Sequence, residues 1–103
     1  MDMIVAFSIT PSLPGDHAGV SEAVAEAVRV VRESGLPNST DAMFTTVEGE
    51  WDEVMDVVKR AVDAAGEGAS RVGLVLKADI RPGYETGQLT DKVERVEQHL
   101  ANG

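Results

Sequence analysis

The residues best suited to chemistry lie in the stretch Thr45-Thr46-Val47-Glu48-Gly49-Glu50-Trp51. A β-branched run stops at Gly49 and an amphipathic pattern begins at Trp51, so we expect a strand to be followed directly by a helix. Carboxylates are favoured at the positive end of a helix dipole. Glu48 and Glu50 therefore indicate one of two things: an acidic helix start, or the lip of a ligand pocket with Glu48 as a fixed acceptor.

Two other strand ends carry polar side chains. Ser8 and Thr10 end an otherwise apolar strand, and Lys77, Asp79 and Arg81 alternate along one face of the last strand. Alternation places such residues on the same side of a sheet. Lys77, Asp79 and Arg81 form either a solvated strand end whose charges pair with one another, or a polar pocket wall.

No catalytic constellation is predicted. His17 lies in a loop and His99 on a terminal helix, with no acid at ligand spacing, so both are expected at the surface and no metal site is expected. Ser8 has no histidine positioned to activate it. The glycines do not form a phosphate-binding loop. We expect no catalytic residue and no cofactor.

Composition narrows the class of protein. The 103 residues suit a single domain over residues 1–103, and the absence of cysteine excludes disulfides. The net charge of −9 argues against nucleic acid as a partner. No apolar run approaches the roughly 20 residues of a membrane span. With no signal-like N-terminus, a cytoplasmic protein without membrane contact is expected.

Hydrophobic periodicity predicts seven elements. Strands are predicted at 2–10, about 37–41, about 43–48 and 71–81, and helices at about 20–34, 51–65 and 89–101. Ser21 and Thr90 are expected to cap the first and third helices, and Gly35 to end the first in a left-handed conformation. Trp51 is expected to clamp the second helix onto the sheet, at a cost of roughly 3–5 kcal/mol on truncation if buried.

The order of these elements predicts an α+β fold. It is the ferredoxin-like split βαβ arrangement (βαββαβ): an antiparallel four-stranded sheet with two helices on one face, and here an additional C-terminal helix. The other sheet face is expected to stay open. Its predicted residues are Ile4, Ala6, Gly73 and Val75 at one end, and Ser8, Thr10, Lys77 and Asp79 at the other.

Two apolar surfaces predict a homo-oligomer. An open, half-apolar sheet face in so small a domain is usually buried by a second subunit. The third helix carries a narrow apolar stripe at 4-3-4 spacing, which suits packing against another helix, in a partner subunit for example. We call this stripe the α3 seam; it consists of Leu89, Val93, Val96 and Leu100.

An ordered set of motifs extends over nearly the whole chain. The set comprises Ser8-Ile9-Thr10-Pro11, Val30-Val31-Arg32-Glu33-Ser34-Gly35-Leu36-Pro37, Met43-x-Thr45-x-x-Glu48-Gly49-Glu50-Trp51, Arg71-Val72, Lys77-x-Asp79-x-Arg81 and Lys92-Val93. This set resembles the small thiamine-binding protein family. Each motif alone is weak, but the ordered set at matching spacing is fairly specific.

The resemblance implies ferredoxin-like subunits that form dimers or tetramers, without established catalysis. It implies binding of thiamine or its hydroxymethylpyrimidine part, in salvage or delivery. The ligand-site residues carried over by motif position are Ser8, Thr10, Thr45 and Glu48, with Lys77 and Arg81 as further candidates. Hydroxyls and a carboxylate suit an aminopyrimidine, and a carboxylate suits a thiazolium cation.

Three positions depart from the family pattern. Asn38 stands where an aromatic residue is common, Ala42 replaces a usual proline, and Phe44 replaces a usual glycine. Asn38 removes a stacking partner, whereas Phe44 either narrows the pocket or supplies the missing ring. Two alternatives to ligand binding stay open: a small cofactor-free enzyme on a dimeric scaffold, and a regulatory domain that senses an anion through Lys77 and Arg81.

Overall fold

The computed structural model describes residues 2–15, 18–83 and 87–102. The elements in chain order are β1 (Asp2–Ser12), α1 (Ala18–Glu33), β2 (Asn38–Thr40), β3 (Thr45–Glu50), α2 (Trp51–Ala65), β4 (Arg71–Arg81) and α3 (Gln88–Asn102). This order confirms the predicted α+β, ferredoxin-like fold with its additional C-terminal helix. None of the described helices is long and apolar enough to cross a membrane.

The four strands form one antiparallel sheet in the order β2-β3-β1-β4. β1 pairs with β3 only from Asp2 to Phe7, but with β4 along its whole length to Ser12. Beyond Phe7, where β3 begins, β1 is therefore paired along one edge alone. The sheet has a notch at this corner.

The core lies between one sheet face and the helices α1 and α2. Alternate residues of β1 point into it, and α2 contributes side chains three or four positions apart. Each fully buried valine contributes roughly 1.5–3 kcal/mol. The buried apolar side chains are Met3, Val5, Phe7, Ala27, Val31, Val47, Val54, Val57, Val58, Ala61 and Ala65.

The bounds of three strands differ from the prediction. β1 continues through Pro11 to Ser12, where a loop was predicted; only one edge of β1 is paired here, and a proline without an N–H is tolerated at such an edge. β2 is shorter than predicted, and β3 starts at Thr45 and runs through Gly49 to Glu50. Gly49 allows close packing rather than ending the strand: an added Cβ would lie 3.2 Å from Val54 Cγ2.

The predicted N-terminal caps of α1 and α3 are wrong, although α2 has the predicted bounds. α1 begins at Ala18, before Ser21, and α3 begins at Gln88, so that Thr90 lies inside the first turn. Trp51 is 44% exposed and does not clamp α2 onto the sheet. Val54 is the first residue of α2 that is buried in the core. The predicted left-handed conformation of Gly35 is confirmed by its φ of +78°.

The sheet face turned away from α1 and α2 is called the second sheet face. The predicted grouping of residues at its two ends is also wrong, because the strands are antiparallel. The apolar start of β1 meets the polar end of β4: Ile4 lies opposite Asp79, whereas Ser8 lies opposite Val75. Arg81, opposite Asp2, is therefore separated along the sheet from Ser8 and Thr10, whereas Lys77, opposite Ala6, is a diagonal neighbour of Ser8.

That face is not open along its whole length. α3 packs on it at the end formed by Asp2, Glu48 and Asp79. From Val93 to Asn102 every α3 residue is exposed, so this half of the helix extends from the rest of the chain. The radius of gyration is 15.3 Å, against about 13 Å for a compact chain of this size. The α3 seam beyond Leu89 is unpartnered within the described chain.

Candidate ligand-binding site

A cavity of about 340 Å³ lies at the sheet notch, between the unpaired edge of β1, the helix α1 and the turn after β2. Its volume falls within the roughly 300–1,000 Å³ of small-molecule sites. The lining residues are Phe7, Ser8, Ile9, Thr10, Val24, Ala27, Val28, Thr40, Asp41, Ala42, Met43, Phe44 and Thr45.

Four hydroxyl groups contribute to this lining. Ser8 and Thr10 come from β1, Thr40 ends β2, and Thr45 begins β3. The Oγ1 atoms of Thr40 and Thr45 are 3.4 Å apart, and Thr45 is only 8% exposed. Each hydroxyl can donate one hydrogen bond and accept others. The unpaired edge of β1 offers backbone groups beside them, because backbone N–H and C=O groups that no strand partner satisfies remain available to a ligand.

The turn between β2 and β3 adds a carboxylate. Asp41 Oδ1 accepts the backbone N–H groups of Phe44 at 2.9 Å and Met43 at 2.8 Å, and Asp41 N donates to Phe44 O at 2.9 Å. The bonds from Phe44 and Met43 lower the pKa of Asp41, so it is ionised at neutral pH. A tight connection near Thr40-Asp41-Ala42 was predicted, and the Asp41-to-Phe44 spacing is a local signal for such a turn, but Asp41 was not predicted to line the site.

The departures from the family pattern occupy different places. Asn38 Nδ2 donates to Leu36 O at 2.8 Å, and the side chain is not part of the cavity lining. Ala42 and Phe44 both line the cavity. Phe44 therefore gives the cavity an aromatic surface, on the turn rather than at the position where the family carries its ring.

The six predicted site residues do not form one group. Ser8, Thr10 and Thr45 meet in the cavity, whereas Glu48, Lys77 and Arg81 lie toward the opposite end of β1. Glu48 is opposite Ile4, Lys77 is opposite Ala6, and Arg81 is opposite Asp2. Their part in ligand binding stays a prediction.

Both carboxylate oxygens of Glu48 accept hydrogen bonds from α3. Glu48 is 2% exposed; its Oε2 accepts the N–H of Gln88 at 2.9 Å and its Oε1 that of Leu89 at 3.0 Å. A carboxylate at a helix N-terminus satisfies amides that have no partner within the helix and complements the dipole. Glu48 is thus an acid at a helix start, as one alternative held, but the helix is α3 rather than α2.

Two more buried side chains join Glu48. Gln88 Nε2 donates to Asp2 Oδ2 at 2.7 Å, and Asp2 and Gln88 are 2% and 1% exposed. Burial, together with Glu48, raises the pKa of Asp2 to about 6. Burial acts to raise the pKa of Glu48 as well, but hydrogen bonds from Asp2, Leu89 and Gln88 outweigh it and lower that pKa. We call these three residues the Asp2–Glu48–Gln88 cluster.

Lys77 lines a second cavity of about 320 Å³ beside α3, with Ile4, Ala6, Ala78, Asp79 and Lys92. Lys92 Nζ forms an ion pair with Asp79 Oδ2. Asp79 is thus paired, as the solvated-strand alternative held, but its partner comes from α3. His99 is exposed, and His17 lies outside the described residues. Within residues 2–15, 18–83 and 87–102, no three His, Cys, Asp or Glu side chains are placed to hold a metal ion.

Comparison with known proteins establishes the family. The sequence model of the thiamine-binding protein family matches residues 5–97, and the chain belongs to this family. It is 56% identical over 101 residues to a UPF0045 protein of Mycobacterium bovis, covering 97% of this chain and 96% of the relative. A UPF0045 protein of Methanocaldococcus jannaschii is 34% identical over 83 residues, covering 81% of each chain.

Solved structures show the same fold. A domain of unknown function from Bacillus cereus superposes with a TM-score of 0.78 at 34% identity, covering 88% of this chain and 86% of that one. A Thermotoga maritima protein, assigned provisionally to thiamine biosynthesis or salvage, superposes with a TM-score of 0.74 at 25% identity, covering 96% and 99%.

Proposed function

We propose that this chain is a cytoplasmic, non-enzymatic protein that binds thiamine or its hydroxymethylpyrimidine part in the cavity at the sheet notch, for salvage or delivery. The observation that carries the proposal is the lining of that cavity: four hydroxyls and an ionised carboxylate beside an unpaired strand edge. Family membership and the provisional assignment of the Thermotoga maritima neighbour support it.

The strand edge suits the aminopyrimidine ring. An aminopyrimidine presents ring nitrogens that accept hydrogen bonds next to an amino group that donates them. A strand edge offers N–H and C=O groups in alternation, so it can bind both kinds of atom along one line. The hydroxyls of Thr10 and Thr45 supply further donors and acceptors.

The turn suits the thiazolium cation. Asp41 carries a negative charge, and Phe44 presents a ring in the same lining. A carboxylate attracts a cation directly, and an aromatic face attracts it through its quadrupole. Hydroxymethylpyrimidine is neutral and lacks this part, so the turn should distinguish the two ligands.

Binding without catalysis fits the chemistry of the lining. Asp41 is the titratable residue among the described lining residues, and its lowered pKa makes it a weak general base. No described cavity-lining residue is a histidine, cysteine or lysine. We therefore favour binding over the cofactor-free enzyme.

We also propose that a second copy of this chain covers the second sheet face and the α3 seam, giving a dimer or tetramer. Val93, Val96 and Leu100 are 58–70% exposed on one stripe of α3, and Val75 is 59% exposed on the adjoining sheet face. Exposed apolar stripes at heptad spacing are typical of helix pairs between subunits.

The binding proposal is tested by calorimetric titration with thiamine and, separately, with hydroxymethylpyrimidine. In Thr45→Val the shape of the side chain is kept but its hydroxyl is lost, so we expect both ligands to bind about tenfold more weakly, or about 1.4 kcal/mol. Asp41→Asn keeps an acceptor for the turn amides but removes the charge. We expect this variant to bind thiamine about tenfold more weakly and to bind hydroxymethylpyrimidine almost as well as the original chain does.

Asp63→Asn provides the matched control, since it removes the same charge from an exposed position on α2. It should bind both ligands like the original chain. Absence of binding by the folded original chain at millimolar ligand would overturn the proposal. Equal weakening by Asp41→Asn and Asp63→Asn would show that only net charge matters and that Asp41 has no specific contact.

A further inference from the structure

The Asp2–Glu48–Gln88 cluster lies apart from the cavity of the proposed ligand site, which lies beyond Phe7 at the other end of the β1–β3 pairing. The cluster joins the first strand, the third strand and the last helix, with partners 40 and 86 positions apart in sequence. Its two carboxyl groups and one amide are almost completely buried. Burying two adjacent carboxylates is unfavourable unless a proton neutralises one of them.

The hydrogen bonds assign different roles to the two acids. Glu48 accepts hydrogen bonds from two backbone amides of α3, and its ionised form is the stronger acceptor at both oxygens. Asp2 accepts from Gln88 Nε2 through Oδ2 and also lies within hydrogen-bonding contact of Glu48. A proton on Asp2 would be donated to Glu48, and this arrangement satisfies both acids.

We propose that the Asp2–Glu48–Gln88 cluster is a proton-sensitive latch for α3: the docked helix keeps one proton between the two carboxyl groups, and losing that proton loosens the helix. The latch holds a helix that has few other attachments, since α3 is fully exposed from Val93 onward. The Lys92–Asp79 ion pair also joins α3 to the sheet, and both of its side chains are about 40% exposed.

Charged groups from every neighbouring element surround the latch. β3 contributes Glu50, which adds a negative charge near Asp2 and favours the protonated form of Asp2. β4 places Arg81 opposite Asp2 in register and Asp79 two positions away, the latter paired with Lys92. α3 contributes Asp91 in its first turn. The acids that oppose ionisation of Asp2 are therefore Glu48 and Glu50.

The direction of the pH effect follows from the pKa of each acid. The pKa of Asp2 rises from 3.8 to about 6 in the docked state, so docking is weakened as pH rises from 3.8 to about 6 and stays weak above that. The lowered pKa of Glu48 acts oppositely, because its contribution is present above its ordinary value and is lost only in acid. Docking is therefore strongest in mildly acidic solution.

Hydrogen exchange at the amides of Gln88 and Leu89 tests the proposal. Protection, corrected for the intrinsic exchange rate at each pH, should fall about tenfold between about pH 5 and about pH 8. The pKa of Asp2 in the docked state is about 6, so the fall occurs over about one pH unit, and each unit corresponds to a factor of ten. Asp2→Asn cannot ionise but can still donate to Glu48 and accept from Gln88. It should keep the high protection throughout.

Two controls accompany this measurement. Asp63→Asn, on the exposed side of α2, should retain the tenfold fall, and Glu48→Gln should lose protection at every pH because its acceptor capacity is reduced. The carboxyl carbon-13 shift of Asp2 should titrate near pH 6 in the original chain. A midpoint near 3.8, or the same fall in Asp2→Asn as in the original chain, would overturn the latch.

Discussion

Two acids of this chain, Asp41 and Glu48, each accept two backbone N–H groups. The amides bonded to Asp41 are two and three positions away, so the turn could have been predicted from local sequence. Those bonded to Glu48 are forty and forty-one positions away, on a helix that the sequence predicted to be capped by Thr90. Local patterns carry no information about such a contact, and the role of Glu48 needed the sheet register.

Gly35 sets a local requirement that a substitution can measure. Its φ is +78°, and an added Cβ would meet no atom within 4 Å. Gly35→Ala should therefore lower the free energy of unfolding by about 1 kcal/mol through backbone strain alone. Urea denaturation would measure this loss.

Gly73→Ala is the comparison for Gly35→Ala. Gly73 lies in β4 with no positive φ, and an added Cβ would make ordinary contact with Thr10 O at 3.7 Å. We expect the free energy of unfolding of the Gly73→Ala variant to differ from that of the original chain by less than about 0.5 kcal/mol. Equal losses in the two variants would show that conformation at Gly35 is not the cause.

At the scale of elements, periodicity predicted α2 and β4 to the residue, because each carries a long and unbroken apolar pattern. The pattern was less useful where single residues carry conflicting signals. Pro11 and Gly49 indicate breaks in general, yet both lie inside strands here, at an edge paired on one side and at a close approach to Val54. Which side of a strand is unpaired is a property of the sheet, not of the segment.

The α3 seam yields a prediction about assembly. Val96→Lys places a charge in the middle of the exposed stripe, and it should raise the dissociation constant between copies by at least about tenfold, since a buried unpaired charge is unfavourable. Gln98→Lys adds the same charge on the opposite side of α3 and should leave assembly unchanged. Sedimentation velocity distinguishes the two. A monomeric original chain at every concentration would refute the proposed interface.

At the scale of the whole molecule, the sequence predicted the order of elements and the fold, but not how the polar strand ends meet. Residues two apart on a strand are placed on one face by geometry alone. Which end of β4 lies beside which end of β1 depends on the antiparallel direction, and the predicted grouping disregarded it. That single error combined Asp79 with Ser8 and Thr10, whereas the structure places Asp79 opposite Ile4.

The net charge gives a salt dependence for the proposed assembly. Each copy carries −9, so two copies repel one another at long range. Salt shortens the screening length from about 30 Å at 0.01 M to about 8 Å at 0.15 M. We expect added sodium chloride to lower the dissociation constant several-fold, measured by light scattering over a dilution series. Weaker assembly in salt would instead indicate that ion pairs hold the copies together.

The long sequence separations within the Asp2–Glu48–Gln88 cluster also determine when it forms during folding. The acceptors on β1 and β3 are made early in synthesis, whereas Gln88 follows forty residues after Glu48. α3 can dock only after β1 and β3 have paired, because that pairing brings Asp2 and Glu48 to the same end of the sheet. Contacts that form after the rate-limiting step govern how fast a protein unfolds rather than how fast it folds. We therefore expect the cluster to act on the lifetime of the folded chain rather than on the route to the sheet.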